Sequence, residues 1–222
     1  MLARPGSPRL SLSSGAILLA LVVFVGLEAA AMHLYPGGTW WDPAARGHRF
    51  WQNFLCDLEW RVALDGQPNA LGARVAQAAM LVLVSAFAPF WGIVPRLFVR
   101  ARTRARAVRA LGWTSVVGMA AVSLMPSERF GALHAVAVVV AGVPGLTATA
   151  LATIGLLGGE PRPRIAGWLG AAVLASAAID FLLYVHTAVR GGPGPPLLPG
   201  IQKVALTLLL AWMATVAVRA RA

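Results

Sequence analysis

Residues 132–158, ALHAVAVVVAGVPGLTATALATIGLLG, decide the fold. This stretch contains no Asp, Glu, Lys or Arg, and it is longer than the roughly 20 residues that a helix needs to span a bilayer. Five further apolar stretches cover residues 14–34, 75–94, 108–125, 165–189 and 198–218. Backbone groups in lipid must bond to one another, which favours helices, and the alternation typical of a membrane β-barrel is absent. The sequence therefore predicts an all-α integral membrane bundle of six transmembrane helices, forming one domain over residues 1–222.

The composition of the 222-residue chain supports this fold class. Hydrophobic residues make up 58% of the chain and charged residues 12%, against about 45–50% and about 25% in soluble domains. These proportions exclude an ordinary soluble enzyme, a disordered chain and a soluble nucleic-acid-binding protein. The single cysteine, Cys56, excludes a disulfide framework, and we interpret it as a small apolar residue.

The first apolar stretch has a second interpretation. Arg4 and Arg9 precede it, and the alanines at 29–31 resemble the cleavage site of a secretory signal peptide. The stretch is longer than the apolar region of such a peptide, which is about 7–15 residues, so a retained helix is favoured. The other five helices have the same orientation under both interpretations.

The distribution of charge predicts the orientation. The N-terminus, the second-to-third loop, the fourth-to-fifth loop and the C-terminus carry most of the arginines and one acid, Glu160. On the other side cations and acids balance, so the whole net charge of +11 lies on one side. The positive-inside rule makes that side cytoplasmic, with both termini there. The arginine run at 96–109 is then a topology determinant that contacts lipid head groups, and no nucleic acid is expected as a partner.

Polar residues collect on the opposite, outer side. All four histidines fall there: His33, His48, His134 and His186. Glu28 and Asp180 lie about 10 and 15 Å inside the membrane by helical rise. Acids at that depth are costly and usually face the bundle interior with a partner. We therefore expect a polar cavity open to the outer face with Glu28 and Asp180 at its floor.

Further polar residues extend this candidate site. Tyr184 shares a helix face with Asp180, so Asp180 is expected to be buried and hydrogen-bonded, either to Tyr184 or to the first or sixth helix. Lys203 lies just inside the sixth helix and is included as a ligand-binding candidate. A simpler interpretation makes His33, His186 and Lys203 interface residues that reach the head groups.

Histidines together with Asp180 also raise the possibility of a catalytic zinc site with an open position for water. However, no His-x-x-x-His or His-Glu-x-x-His motif is present, so each ligand would come from a different helix. The sequence therefore assigns no residue as a metal ligand, and zinc stays an open alternative as a cofactor.

The first outer loop, residues 35–71, is rich in aromatic residues. Between 48 and 64 an apolar stripe alternates with a polar stripe at helical spacing that contains Arg49, Asn53 and Asp57. This pattern predicts an amphipathic helix in the outer interface, acting either as an aromatic anchor or as a lid over the cavity. We expect Asp57 to reach His134 directly or through one water. The alternative is that Asp57 caps a local turn or pairs with Arg61.

Several short motifs resemble a known family. They are residues 53–58 (Asn-Phe-Leu-Cys-Asp-Leu), 68–70 (Pro-Asn-Ala), 125–128 (Met-Pro-Ser-Glu) and 133–134 (Leu-His). They resemble the bacterial and archaeal domain-of-unknown-function 998 family of six-helix membrane proteins, which is similar to the damage-regulated autophagy modulator group. The resemblance implies that Asp57, Glu128 and His134 are the family-type polar positions. Cys56 and Glu59 stand where the family pattern has Ser and Gly.

These observations lead to three hypotheses about function. The first is a lipid-interacting protein of a bacterial inner (plasma) membrane, a location that abundant Ala, Arg and Gly also favour, whose outer cavity binds a lipid head group or a small ligand. The second is a membrane-embedded hydrolase, acting on a lipid or an amide, with Asp57, His134 and Asp180 as catalytic candidates. The third is a proton-coupled transporter component that uses Glu28 and Asp180, although no inverted repeat is evident. The sequence fixes neither the substrate nor the oligomeric state.

Overall fold

The structure, a computed structural model, describes residues 8–97, 102–158, 164–192 and 194–221. Within these residues six long helices occur: α1 (Pro8–Leu34), α2 (Ala70–Ile93), α3 (Arg102–Leu124), α5 (Ala132–Gly158), α6 (Arg164–Arg190) and α7 (Leu198–Arg219), with the one-turn helix α4 (Ser127–Phe130) after α3. All six are long and apolar enough to cross a membrane. The described ranges contain no β-strand, only two isolated bridges. The predicted six-helix, all-α membrane bundle is confirmed.

Several helices extend beyond the apolar stretches that predicted them. Helix α2 begins at Ala70 and α3 at Arg102, several residues before the predicted starts at 75 and 108. Alanine and arginine are good helix formers, and a long arginine side chain can reach the head groups while its backbone continues the helix. Four residues used in the charge argument lie outside the described residues: Arg4, Arg100, Glu160 and Arg162.

The long helices form a closed ring. Each packs against the next one along the chain, and α7 packs back against α1 and against α2. Small residues permit the closest approaches, as in other membrane bundles. At Gly118 of α3, for example, an added Cβ would lie 2.4 Å from the backbone nitrogen of Ala141 in α5. The interior of this ring contains the candidate site.

The two ends of the bundle are closed differently. At one end, here called the basic end, Phe90 and Trp91 of α2 meet Trp212 of α7, with ring centroids 5.0–6.1 Å apart in edge-to-face arrangements. The other end is covered by the connection between α1 and α2, residues 35–69, which we call the cap; this is the cap end. The cap contains one 3₁₀ turn, Cys56–Glu59, and both isolated bridges.

Candidate functional site

The centre of the cap is organised by the side chain of Asn53, which is fully buried. Its amide nitrogen donates to the carbonyl oxygen of Gly38 at 2.8 Å, and its amide oxygen accepts the backbone N–H of Arg49 at 2.9 Å. Gly38 adopts a φ of 84°, and an added Cβ there would lie 2.3 Å from the backbone nitrogen of Asp65. This position therefore requires glycine, because an L side chain rarely adopts such a φ and would also clash.

The amphipathic interfacial helix predicted for residues 48–64 does not form; this segment consists of turns and the 3₁₀ turn Cys56–Glu59. The reason is that the residues of the predicted polar stripe bind the backbone. Asn53 accepts the N–H of Arg49, and Asp57 accepts the N–H of Phe54 at 2.7 Å. Such local side-chain bonds offer the backbone an alternative to a helix. Two residues of the predicted polar stripe, Asn53 and Asp57, are accordingly buried inside the cap.

Asp57 is a structural acid of the cap. Besides the Phe54 N–H, its carboxylate accepts the indole N–H of Trp40 at 3.1 Å and the amide of Asn53 at 3.4 Å. Burial raises the pKa of Asp57 to about 6, while these hydrogen bonds and the charge of Lys203 act in the opposite direction. The alternative in which Asp57 caps a local turn is confirmed.

Two residues of α7 attach the cap to the bundle. The ammonium group of Lys203 donates to the backbone carbonyl of Asn53, and the amide oxygen of Gln202 accepts the backbone N–H of Leu55 at 2.9 Å. Lys203 is only 3% exposed, so it holds the cap rather than reaching toward the head groups. The interface role considered for Lys203 is therefore wrong.

The cap is also attached on the side of α4. The indole N–H of Trp60 donates to the hydroxyl of Ser127 at 2.9 Å. A carboxylate oxygen of Glu128 accepts the backbone N–H of Arg61 at the same distance. The resemblance assigned importance to Glu128, and the structure places it at this junction.

A cavity of about 290 Å³ lies beneath the cap, between α2, α3, α5, α6 and α7. Its walls are mostly apolar, with side chains such as Leu83, Phe87, Met119, Val173 and Leu209. Trp91 lines it toward the basic end, while Leu55, Cys56 and Glu59 line it on the side of the cap. The cavity therefore extends from the cap into the apolar interior of the ring.

Some polar side chains in the cavity lining already have hydrogen-bond partners within the protein, and others do not. The hydroxyls of Ser115 and Thr149 donate to the carbonyls of Ala141 and Gly145 at 2.9 and 2.8 Å. Gln202 accepts the Leu55 N–H, as described above. The remaining polar groups in the lining are the carboxylates of Glu59 and Asp180, the phenol of Tyr184, the thiol of Cys56 and the indole N–H of Trp91, which has no partner among the described residues.

Asp180, which was expected to lie in the bundle interior, lines the cavity together with Tyr184. Neither side chain takes part in a hydrogen bond with another described residue, so the bond expected for Asp180 is not formed. Asp180 is half-buried rather than enclosed. Its carboxylate is thus directed toward the cavity and remains free to bind a ligand.

Glu28 does not lie at the floor of the cavity, which was expected from its depth. It is buried, but α1 contributes no residue to the cavity lining. Both of its carboxylate oxygens lack a hydrogen-bond partner among the described residues. The depth of Glu28 was correctly inferred, but α1 is apolar on all sides, so its sequence does not indicate which neighbours the acid faces.

Glu59 is the acid that the sequence analysis missed. It is 4% exposed, lines the cavity, and has two carboxylate oxygens without a partner among the described residues. Burial, reinforced by the nearby charge of Glu28, raises the pKa of Glu59 to about 8. A signal was present in the sequence, because Glu59 lies four residues after Leu55 and therefore interrupts the apolar stripe.

The four histidines do not converge. His33 and His186 are exposed, while His48 packs edge-to-face on Tyr35 with ring centroids 6.0 Å apart. Burial, with a smaller contribution from the charge of Lys203, lowers the pKa of His48 to about 4. His134 is buried, and its Nδ1 contacts the carbonyl oxygen of Met125 at 2.6 Å.

No direct hydrogen bond joins Asp57 and His134, so the direct form of the contact expected between them is wrong. Asp57 uses its oxygens for Trp40, Asn53 and Phe54 within the cap, whereas His134 closes the turn between α3 and α5. In the part of the chain that the structure describes, no three His, Cys, Asp or Glu side chains are arranged to hold a metal ion. Of the residues proposed for a catalytic site, Asp57 and Asp180 both lie within electrostatic range of Lys203, whereas His134 contacts the backbone of Met125.

No protein-family model, no curated protein and no solved structure matches this chain. The resemblance to the domain-of-unknown-function 998 family therefore stays a prediction. Any function has to be argued from the cavity and the residues around it.

Proposed function

We propose that the protein binds a membrane amphiphile, with its apolar chain in the cavity and its polar end beneath the cap. The observation that carries this proposal is the distribution of polar groups without partners in the cavity lining. Among the described residues Glu59, Asp180 and Tyr184 make no side-chain hydrogen bond, whereas the hydroxyls of Ser115 and Thr149 are bonded to the backbone. Toward the basic end the indole N–H of Trp91 also lacks a partner in the described part of the chain. Apolar walls with a few convergent polar groups are typical of small-molecule sites.

The chemistry of the lining indicates which class of amphiphile fits. Two carboxyl groups and a phenol favour a polar end that donates hydrogen bonds, such as a hydroxyl or an amine. The cavity, about 290 Å³, is at the lower end of the roughly 300–1,000 Å³ range of ligand sites. This size favours a single apolar chain over a bulky ligand.

Because both ends of the bundle are closed, we propose that the ligand reaches the cavity from the lipid. The cap covers one end through its bonds to α7 and α4, and Trp91 and Trp212 fill the core at the basic end. An apolar ligand already dissolved in the bilayer can enter between helices without crossing water. We also propose that the protein lies in a bacterial inner membrane with the cap facing outward, and that it is related to the domain-of-unknown-function 998 family.

No separate observation supports the other two hypotheses, a hydrolase and a transporter. A hydrolase was expected to combine Asp57, His134 and Asp180, and no hydrogen bond joins any two of these residues. A transporter was expected to use Glu28 and Asp180 in one cavity, and Glu28 does not line it. Binding is therefore the function that we propose.

Native mass spectrometry of the purified protein tests this proposal. Ala177 lines the cavity, so Ala177→Trp would fill part of it, whereas Ile179 is 53% exposed on the outside of the same helix. We expect the wild-type protein and the matched control Ile179→Trp to retain a co-purifying amphiphile, and Ala177→Trp to lose it. Equal retention by both variants, at equal thermal stability, would show that the ligand lies elsewhere.

A further inference from the structure

A second, smaller pocket lies beside the cavity at the cap end. It measures about 150 Å³ and is enclosed by the cap, the first two turns of α2, the end of α3 and the α4 turn. Three arginines from three different segments line it: Arg61 of the cap, Arg74 of α2 and Arg129 of α4. The proposed function makes no use of this pocket.

Hydrogen bonds fix the walls of the pocket. The Trp60–Ser127 and Arg61–Glu128 bonds hold the cap against α4, each at 2.9 Å. The amide nitrogen of Gln77 donates to the carbonyl of Ser123 at 2.9 Å, which holds α2 against α3. Because the three segments are fixed relative to one another, their three exposed arginines border the same pocket.

Glu59 supplies an independent observation that points to a ligand. It lines this pocket as well as the cavity, so the two spaces meet at its side chain. Both of its carboxylate oxygens are buried without a partner among the described residues, and an unsatisfied buried polar group is costly. With a pKa of about 8, Glu59 carries its proton at neutral pH and can donate a hydrogen bond to an anion.

We propose that this pocket binds a phosphate group, carried either by a phospholipid head group or by free phosphate. The three guanidinium charges, less the charge of Glu128, leave a surplus of two positive charges in the lining. A phosphate monoester carries about −1.5 to −2 charges at neutral pH and three acceptor oxygens. Guanidinium groups match these oxygens in paired hydrogen bonds, which a single lysine cannot provide.

Binding can be tested with the full-length protein in detergent, and the titration with inorganic phosphate does not depend on amphiphile binding in the cavity. Calorimetric titration with inorganic phosphate, at an ionic strength kept constant with chloride, measures the free ion. A second series adds dioleoyl phosphatidate or dioleoylglycerol, which has the same chains without phosphate. Saturable binding of phosphate identifies the free ion as a source, and preference for phosphatidate over dioleoylglycerol identifies the head group.

Three substitutions assign the binding to this pocket. We expect Arg74→Gln and Arg129→Gln each to weaken binding about tenfold, while Arg190→Gln, which alters an exposed arginine of α6 outside the pocket, leaves it unchanged. Arg129 lies exposed on the α4 turn, so this variant is expected to fold even if Arg74→Gln does not; thermal unfolding checks both. The proposal is overturned if neither phosphate nor phosphatidate binds, or if Arg129→Gln binds as tightly as Arg190→Gln.

Discussion

The ammonium group of Lys203 in α7 donates a hydrogen bond to the backbone carbonyl of Asn53, 150 residues earlier in the chain. Asn53 in turn joins Gly38 and Arg49 within the cap. The same ammonium group lies 5.7 Å from the ring centroid of Phe50, within the range of a cation–π interaction. One buried lysine thus connects the membrane bundle to the centre of the cap.

Removing this connection is expected to loosen the cap. Lys203→Met keeps an unbranched side chain of similar length but leaves the Asn53 carbonyl unpaired, which costs about 1–3 kcal/mol for a buried acceptor. Cys56, the single cysteine, lies in the cap and lines the cavity, so its reaction rate with a membrane-permeant maleimide measures cap opening. We expect a rate increase of roughly tenfold.

The matched control for Lys203→Met is Val204→Met at the neighbouring, exposed position of α7. It is expected to leave the Cys56 rate unchanged. If Lys203→Met also leaves that rate unchanged, the bond to Asn53 does not hold the cap.

Asp57 is expected to stabilise the cap through its hydrogen bonds. Asp57→Ala leaves the Phe54 N–H and the Trp40 indole N–H without their acceptor, so the thermal midpoint should fall by roughly 5–10 °C, which corresponds to about 2–3 kcal/mol. Asp42→Ala removes one bond in an exposed turn and should lower it much less. Similar losses in the two variants would contradict the structural role of Asp57.

The sequence predicted the six helices because the apolar length needed to span a membrane is a local property that each stretch carries by itself. It also predicted that Glu28 is buried and that Asp180 faces the bundle interior, since acids far from the helix ends usually face inward. A lid over the cavity was one of the two roles predicted for the first outer loop, but its turn conformation was not predicted. Residues four apart, such as Asn53 and Asp57, lie close together both on a helix and in a turn, so their spacing does not distinguish the two. Nor did the sequence predict the position of Glu28 relative to the cavity, which depends on how helices that are apolar all round pack together.

Stability is expected to depend on pH through Glu59. Its pKa is about 8 in the folded protein against an ordinary value of 4.5 for a glutamate, so between these values the folded state binds more protons than the unfolded state. Stability must therefore fall as the pH rises from about 4.5 to 8. We expect Glu59→Gln to reduce this fall and to raise the thermal midpoint at pH 8 by roughly 5–10 °C.

The control for the pH experiment is Glu128→Gln, because Glu128 is exposed and an amide oxygen can still accept the Arg61 N–H. Thermal midpoints measured at pH 5 and pH 8 compare both variants with the wild type. If Glu59→Gln shows the same pH dependence as Glu128→Gln, Glu59 does not titrate in this range.

The orientation of the bundle is expected to follow its charge, with the cap outside. In a Cys56→Ala background, Ala44→Cys places a thiol on the exposed surface of the cap, and Thr103→Cys places one at the exposed start of α3. In intact cells, a membrane-impermeant maleimide should label position 44 only, and position 103 should react after lysis. Labelling of position 103 in intact cells would show that the orientation is the opposite of the one predicted.

The central claim is that the chain of an amphiphile lies inside the ring, and photo-crosslinking tests it most directly. A long-chain alcohol with a diazirine in its chain is added to the purified protein, and the crosslinked residues are identified by mass spectrometry. The proposed site predicts crosslinks at the cavity-lining residues Met80, Met119 and Leu209 that an excess of unlabelled alcohol suppresses. Crosslinks confined to outward-facing residues such as Val117 and Ile179, and unaffected by competitor, would contradict the claim.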